Sequence, residues 1–87
     1  HAYRKFGNVV EAEKIFRKLL EKDVGDVTAL LGIGACLQER GLHTKAFLVY
    51  QTGLSWSRDL RLLNKAAYAA LRIKKFRQAE AYFLEAT

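Results

Sequence analysis

Ala46-Phe47-Leu48-Val49-Tyr50 sets a small side chain one helical turn ahead of an aromatic one. The same arrangement returns as Ala12-Glu13-Lys14-Ile15-Phe16 and Ala79-Glu80-Ala81-Tyr82-Phe83. The alanines at 12, 46 and 79 stand 34 and then 33 residues apart. A steady period in this range means one supersecondary unit stacked on itself, a solenoid. A turn marker precedes each copy and a larger side chain follows it two positions on: Gly7 then Val9, Gly41 then His43, Lys74 then Phe76. A solenoid of helix pairs presents a long concave surface in place of a closed pocket.

Working outward, the chain contains no proline and reads as helix throughout. Leu30, Ile33, Gly34 and Leu37 recur at i, i+3, i+4 and i+7, one face of a helix from about Asp26 to Arg40. Asp26 is its N-cap, and Gly41 ends it by accepting a positive φ. A helix from about Thr44 to Trp56 buries Ala46, Phe47, Val49, Tyr50 and Leu54, with Trp56 filling the joint to the next unit. Asp59 caps a further helix whose packing stripe is Leu60, Leu63, Ala66, Ala67 and Ala70. Lys74 and Lys75 mark the turn into a last helix carrying Ala79, Tyr82, Phe83 and Ala86, with Phe76 packing inward. Upstream, a helix from Val9 to Lys22 faces inward with Ala12, Ile15, Phe16 and Leu19, and residues before Gly7 form the tail of an earlier helix. The expected fold class is all-α, an antiparallel helix-pair solenoid of about two and a half repeats. It forms a single domain over 1–87, with repeats at approximately 1–25, 26–59 and 60–87. Because terminal units of a solenoid need polar caps, the expectation is a fragment of a longer chain, or a homo-oligomer formed through uncapped ends.

The composition narrows the function. Hydrophobic residues make up 51% of the 87, too many for a disordered segment, and no apolar run is long enough to span a bilayer. Cys36 is the one cysteine, so the fold does not depend on a disulfide, and its setting among Gly34, Ala35 and Leu37 indicates plain packing. His1 and His43 have no partners at metal-ligand spacing. Gly32-x-Gly34 lies inside a helix, where it cannot cradle a phosphate. Ser55 and Ser57 have no paired base. The reading is non-enzymatic, with no cofactor and no metal. Fifteen Lys and Arg against nine Asp and Glu give a net charge of +6, which favours an acidic partner. The densest basic run, Arg72-Ile73-Lys74-Lys75-Phe76-Arg77, reads first as solvated side chains at a helix turn, with nucleic-acid or lipid contact as the alternative.

These residues resemble the tetratricopeptide repeat. The first helix of that family carries W-x2-L-G-x2-Y, which Leu30-x2-Ile33-Gly34-x2-Leu37 matches with apolar replacements. Its second helix carries A-x3-F, kept here three times with Phe16, Tyr50 and Phe83 as the aromatics. The proline that closes each repeat of the family is replaced by Val24 and Arg58. A narrower resemblance, over Ile15-Phe16-Arg17-x-Leu19, Asp23 and Leu31-Gly32-Ile33-Gly34-Ala35-Cys36-Leu37-Gln38, is to the translocator chaperones of type III secretion. The first resemblance implies a concave groove lined by the first helix of each pair. Its residues here are His1, Arg4 and Lys5, then Thr28, Leu31, Ala35, Gln38 and Glu39, then Arg61, Asn64, Lys65, Tyr68, Leu71 and Arg72. Some members of the family grip a partner's C-terminal carboxylate there. Arg61 and Lys65 occupy two of those positions, while Gly32 and His1 stand where asparagines are expected. The implied function is a cytoplasmic, non-catalytic scaffold, adaptor or chaperone that binds an extended or helical, acidic segment of another protein. A self-assembly module and an RNA-binding helical repeat stay open as alternatives, with nucleic acid the weaker of the partner readings.

Overall fold

The computed structural model describes the backbone of residues 2–87 and the side chains from residue 8 onward. Five helices follow one another: α1 (Ala2–Lys22), α2 (Val27–Glu39), α3 (His43–Leu54), α4 (Leu60–Arg72) and α5 (Phe76–Ala86), with no strand among the described residues. The connecting segments are only three to five residues long, so each helix must fold back beside its predecessor. The result is an all-α antiparallel helix-pair solenoid.

One boundary differs from the sequence reading. No turn separates a leading tail from the next helix, because α1 runs unbroken through Gly7. The six residues ahead of Gly7 amount to less than two turns, and a helix that short gains little by itself. Extending α1 keeps its backbone hydrogen bonds in one ladder, at the modest cost of one interior glycine.

The caps explain the other boundaries. The Asp26 side chain accepts from the Ala29 N–H at 3.1 Å, and the Asp59 side chain accepts from the Arg61 N–H at 2.8 Å. The α2–α3 and α4–α5 turns share one hydrogen-bond pattern. Leu42 N–H donates to the Leu37 carbonyl and Gly41 N–H to that of Gln38; Lys75 N–H donates to Ala70 and Lys74 N–H to Leu71. This is the Schellman ending, which needs a left-handed residue just past the helix. Gly41 (φ 77°) and Lys74 (φ 63°) supply it, the second without glycine's freedom.

Leu30, Ile33, Leu37, Ala46, Phe47, Tyr50, Leu54, Leu62, Leu63, Ala66 and Ala70 form the centre of one core. α2 carries two glycines because two aromatic rings lie against it. A Cβ on Gly34 would overlap the buried Tyr50 ring of α3, and one on Gly32 would come within 2.6 Å of the Phe16 ring of α1. The Tyr50 hydroxyl donates to Gln38 Oε1 at 2.9 Å. Burial pushes the Tyr50 phenol up to about 12, with the nearby Cys36 adding to it. Burial also raises the Cys36 thiol, helped by Glu13 and Glu39, so the neutral, packed form is favoured over a reactive thiolate.

Several expected core positions lie at the surface instead. Ile15 and Leu19 are exposed on the side of α1 turned away from α2, Trp56 is 56% exposed beyond the end of α3, and Phe83 is 39% exposed on α5. Leu60 and Phe76 are exposed at the starts of α4 and α5. An interior helix of a solenoid is covered on two sides, whereas among the described residues α1 and α5 each have one helix packed backbone-close against them, α2 and α4 respectively. Leu62 and Ala69, outside the expected stripe, are fully buried because α4 packs against α3, α5 and α2.

Candidate functional site: the face of α2 and α4

α2 and α4 approach each other directly, whereas among the described residues no Cα of α1, α3 or α5 comes within 8 Å of another helix of that set. α3 and α5 meet only through long side chains, Phe47 against Tyr82 with ring centroids 6.3 Å apart and Gln51 donating to the Tyr82 hydroxyl at 3.3 Å. Helices that crowd in one layer and splay in the other make a bent slab, 36 × 30 × 17 Å. The α2–α4 layer is on the inside of the bend.

α2 and α4 each keep a stripe of side chains outside the core. On α2 they are Thr28 and Ala35, both exposed, Leu31, half-buried against the core, and Glu39 at the end. On α4 they are Arg61, Asn64, Lys65, Tyr68, Leu71 and Arg72, all exposed. The reason is helical periodicity: Leu62, Leu63, Ala66, Ala67, Ala69 and Ala70 face the neighbouring helices, which leaves the complementary positions of α4 outside. Tyr68 at 50% and Leu71 at 42% exposure give this stripe an apolar centre between its cations. His1, Arg4 and Lys5, also expected here, lie outside the described side chains.

Two residues depart from the expectation of freely available groove side chains. Gln38 is half-buried and its Oε1 is occupied by Tyr50, while its Nε2 is buried with no partner. Its amide holds α3 onto α2. Arg61 folds back on its own cap: its Nε and Nη2 lie 3.2 and 3.3 Å from the Asp59 carboxylate. That pairing lowers the Asp59 carboxyl below its ordinary value and raises Arg61. The cations of α4 without such a partner are Lys65 and Arg72, which form no ion pair among the described residues. An aspartate two residues ahead of an arginine at a helix start was the available signal for the Asp59–Arg61 pair.

Other ion pairs brace the scaffold around this face. Glu13 on α1 accepts from Arg17 and from Arg40 at the end of α2, at 2.9 and 3.0 Å. Arg58, at one of the positions where the resembling family has proline, clasps Glu85 of α5 with its Nε at 2.7 Å and an Nη2 bond beside it. Away from this face, the described residues form a hollow of about 460 Å³ at Lys74–Gln78 and another of about 280 Å³ between Arg17, Leu20, Glu21 and Val24. Among the described residues no cluster of His, Cys, Asp and Glu is placed to hold a metal ion, and no helix is long and apolar enough to cross a membrane.

Comparison with solved structures gives a likeness over nearly the whole chain. A crystal structure of PcrH in complex with the chaperone binding region of PopD matches over 98% of this chain, with a TM-score of 0.80 and 32% sequence identity. The match spans 66% of the PcrH chain. No protein-family model matches the sequence, and no curated protein matches it.

Proposed function

We propose that this chain is a chaperone-like binding module that holds an extended segment of a partner protein along the inner face of α2 and α4, in the manner of a secretion translocator chaperone of the cytoplasm. The observation that carries this reading is the likeness over nearly the whole chain to PcrH, a protein whose structure was solved with a chaperone binding region. The character of the inner face agrees with it. Extended segments are gripped by shallow apolar seats for alternate side chains and by polar groups that fix register. Tyr68, Leu71 and Leu31 offer the seats, while Lys65 and Arg72 favour acidic flanks on the partner. Asn64 adds a donor and an acceptor for its backbone.

Peptides selected by phage display on this chain, with the chaperone binding region of PopD as a first probe, test the reading. Tyr68→Ala weakens binding at all salt concentrations, because its contact is mainly apolar. The pair Lys65→Glu, Arg72→Glu weakens it chiefly at low salt, where exposed charges are least screened. Lys18→Glu with Lys22→Glu, on α1, leaves affinity unchanged. Equal losses from the α1 pair and the α4 pair would overturn the inner-face assignment.

A second reading, self-assembly, draws support from the apolar side chains left exposed on α1 and α5, Ile15, Leu19, Phe83 and Leu84. Concentration-dependent sedimentation distinguishes it from peptide capture.

A further inference from the structure

The antiparallel order brings the α2–α3 and α4–α5 turns to one edge of the slab and the α1–α2 and α3–α4 turns to the other. Charge is divided between these edges. The first gathers Arg40, Lys45, Arg72, Lys74, Lys75 and Arg77 against Glu39 and Glu13, whereas the second mixes Glu21, Asp23, Asp26, Asp59 and Glu85 with Lys22, Arg58 and Arg61. Of the six cations only Arg40 is tied into an ion pair among the described residues, with Glu13. At the tip of this edge Phe76 stands 62% exposed, beside the open hollow walled by Lys74, Lys75, Arg77 and Gln78. The Schellman ending needs only the left-handed residue at 74 and does not itself call for an aromatic at 76.

The geometry points to this edge as a docking surface for an anionic lipid bilayer, with Phe76 entering the headgroup region and Lys74, Lys75 and Arg77 resting on the lipid phosphates. The shape separates this occupant from others. A turn tip is convex, and a flat or yielding surface touches all of its charges at once. The hollow here is walled by the single turn of residues 74–78, too short to seat a peptide segment, which needs two facing walls. Clustered Lys and Arg around an apolar side chain are the combination that binds an anionic leaflet, since each cation adds electrostatic attraction and the aromatic adds burial. The surface uses Lys74–Arg77 and not the Tyr68 stripe, so it stands or falls independently of peptide binding.

Vesicle co-sedimentation tests it, with phosphatidylglycerol-rich and pure phosphatidylcholine vesicles compared at low and high salt. Lys75→Asp with Arg77→Glu is the main variant. Both new acids lie at the start of α5, where negative charge favours the helix, so lost binding would not reflect lost folding. The expected result is binding to the anionic vesicles alone, reduced about thirtyfold or more by that pair. Phe76→Ser is expected to reduce it about five- to twentyfold, from the apolar surface withdrawn from lipid. Lys18→Glu with Lys22→Glu should leave it unchanged. No partition onto the anionic vesicles, or an equal loss from the α1 pair, would overturn the inference. So would a single-stranded RNA oligonucleotide that binds with the same dependence on Lys75 and Arg77 while Phe76→Ser leaves vesicle binding intact, because the edge would then be a nucleic-acid surface.

Discussion

Gly34→Ala is the sharpest probe of how the helices are held together. The added methyl group would fall inside the ring of Tyr50, which is fully buried and has no free space to move into. Overpacking of this kind costs about 1–3 kcal/mol. If the ring is displaced, the Tyr50–Gln38 hydrogen bond goes with it, and Gln38, whose Nε2 already has no partner, loses its remaining contact. That loss adds about 1 kcal/mol. Against these stands the gain from replacing an interior helical glycine by alanine, about 1 kcal/mol. The net expectation is a destabilisation of about 1–3 kcal/mol. For a domain of this size each 1 kcal/mol corresponds to about 4–8 °C in Tm, so circular dichroism melting should resolve it. The same change at Gly32 is the comparison: it meets the half-buried Phe16 ring, which can turn toward solvent, so Gly32→Ala should lie within about 1 kcal/mol of the parent. A Gly34→Ala protein that melts at or above the parent temperature would refute the Tyr50-on-Gly34 packing and the α2–α3 pairing built on it.

Other outcomes follow from single features. Lys74→Gly relieves a left-handed lysine and should stabilise by about 0.5–1 kcal/mol in urea unfolding, whereas Gly41→Ala at the matching turn should destabilise by a similar amount or more. Tyr50 has its pKa raised in the folded state, so its contribution is fully present below the ordinary phenol value of 10.0 and is lost as pH rises through about 12. At about 1.4 kcal/mol per unit this amounts to about 2–3 kcal/mol, and a Tyr50→Phe protein should show a correspondingly shallower fall in stability over that interval. Glu85 and Asp59 have lowered pKa values from their arginine partners, so their contributions are present above the ordinary carboxylate range and disappear as pH falls through the lowered values. Glu85→Gln should flatten that acid limb.

Most helix boundaries were legible because each depends on a local signal. Asp26 and Asp59 are caps by composition, Gly41 is a stop by conformation, and Lys74 could be placed only because the repeat sets it opposite Gly41. Buried positions of α2 were legible for the same reason: its apolar residues recur at a full helical period. The periodicity failed at the outer helices, where Ile15 and Leu19 on α1 and Phe83 on α5 follow the repeat but have no described neighbour to cover them. It failed also at Leu62, since a helix touching three others buries an arc wider than one stripe. The exposure of Arg61, Asn64, Lys65, Tyr68, Leu71 and Arg72 along one side of α4 could be read from helical spacing. Their charge could not, because whether Arg61 reaches outward or folds onto Asp59 is decided by rotamers and not by residue type. Gln38 is the same kind of case, a polar residue at a groove position whose amide is taken by a tyrosine twelve residues on.

The clasp between Arg58 and Glu85 has a mechanical consequence. α5 has Ala79 as its one fully buried side chain, so burial alone holds it weakly when tension is applied along it. The clasp joins the far end of α5 to the segment ahead of α4, at the point where peeling would begin. Load therefore falls on the two guanidinium–carboxylate bonds before it reaches the Phe47–Tyr82 contact. Their rupture would precede the loosening of the core.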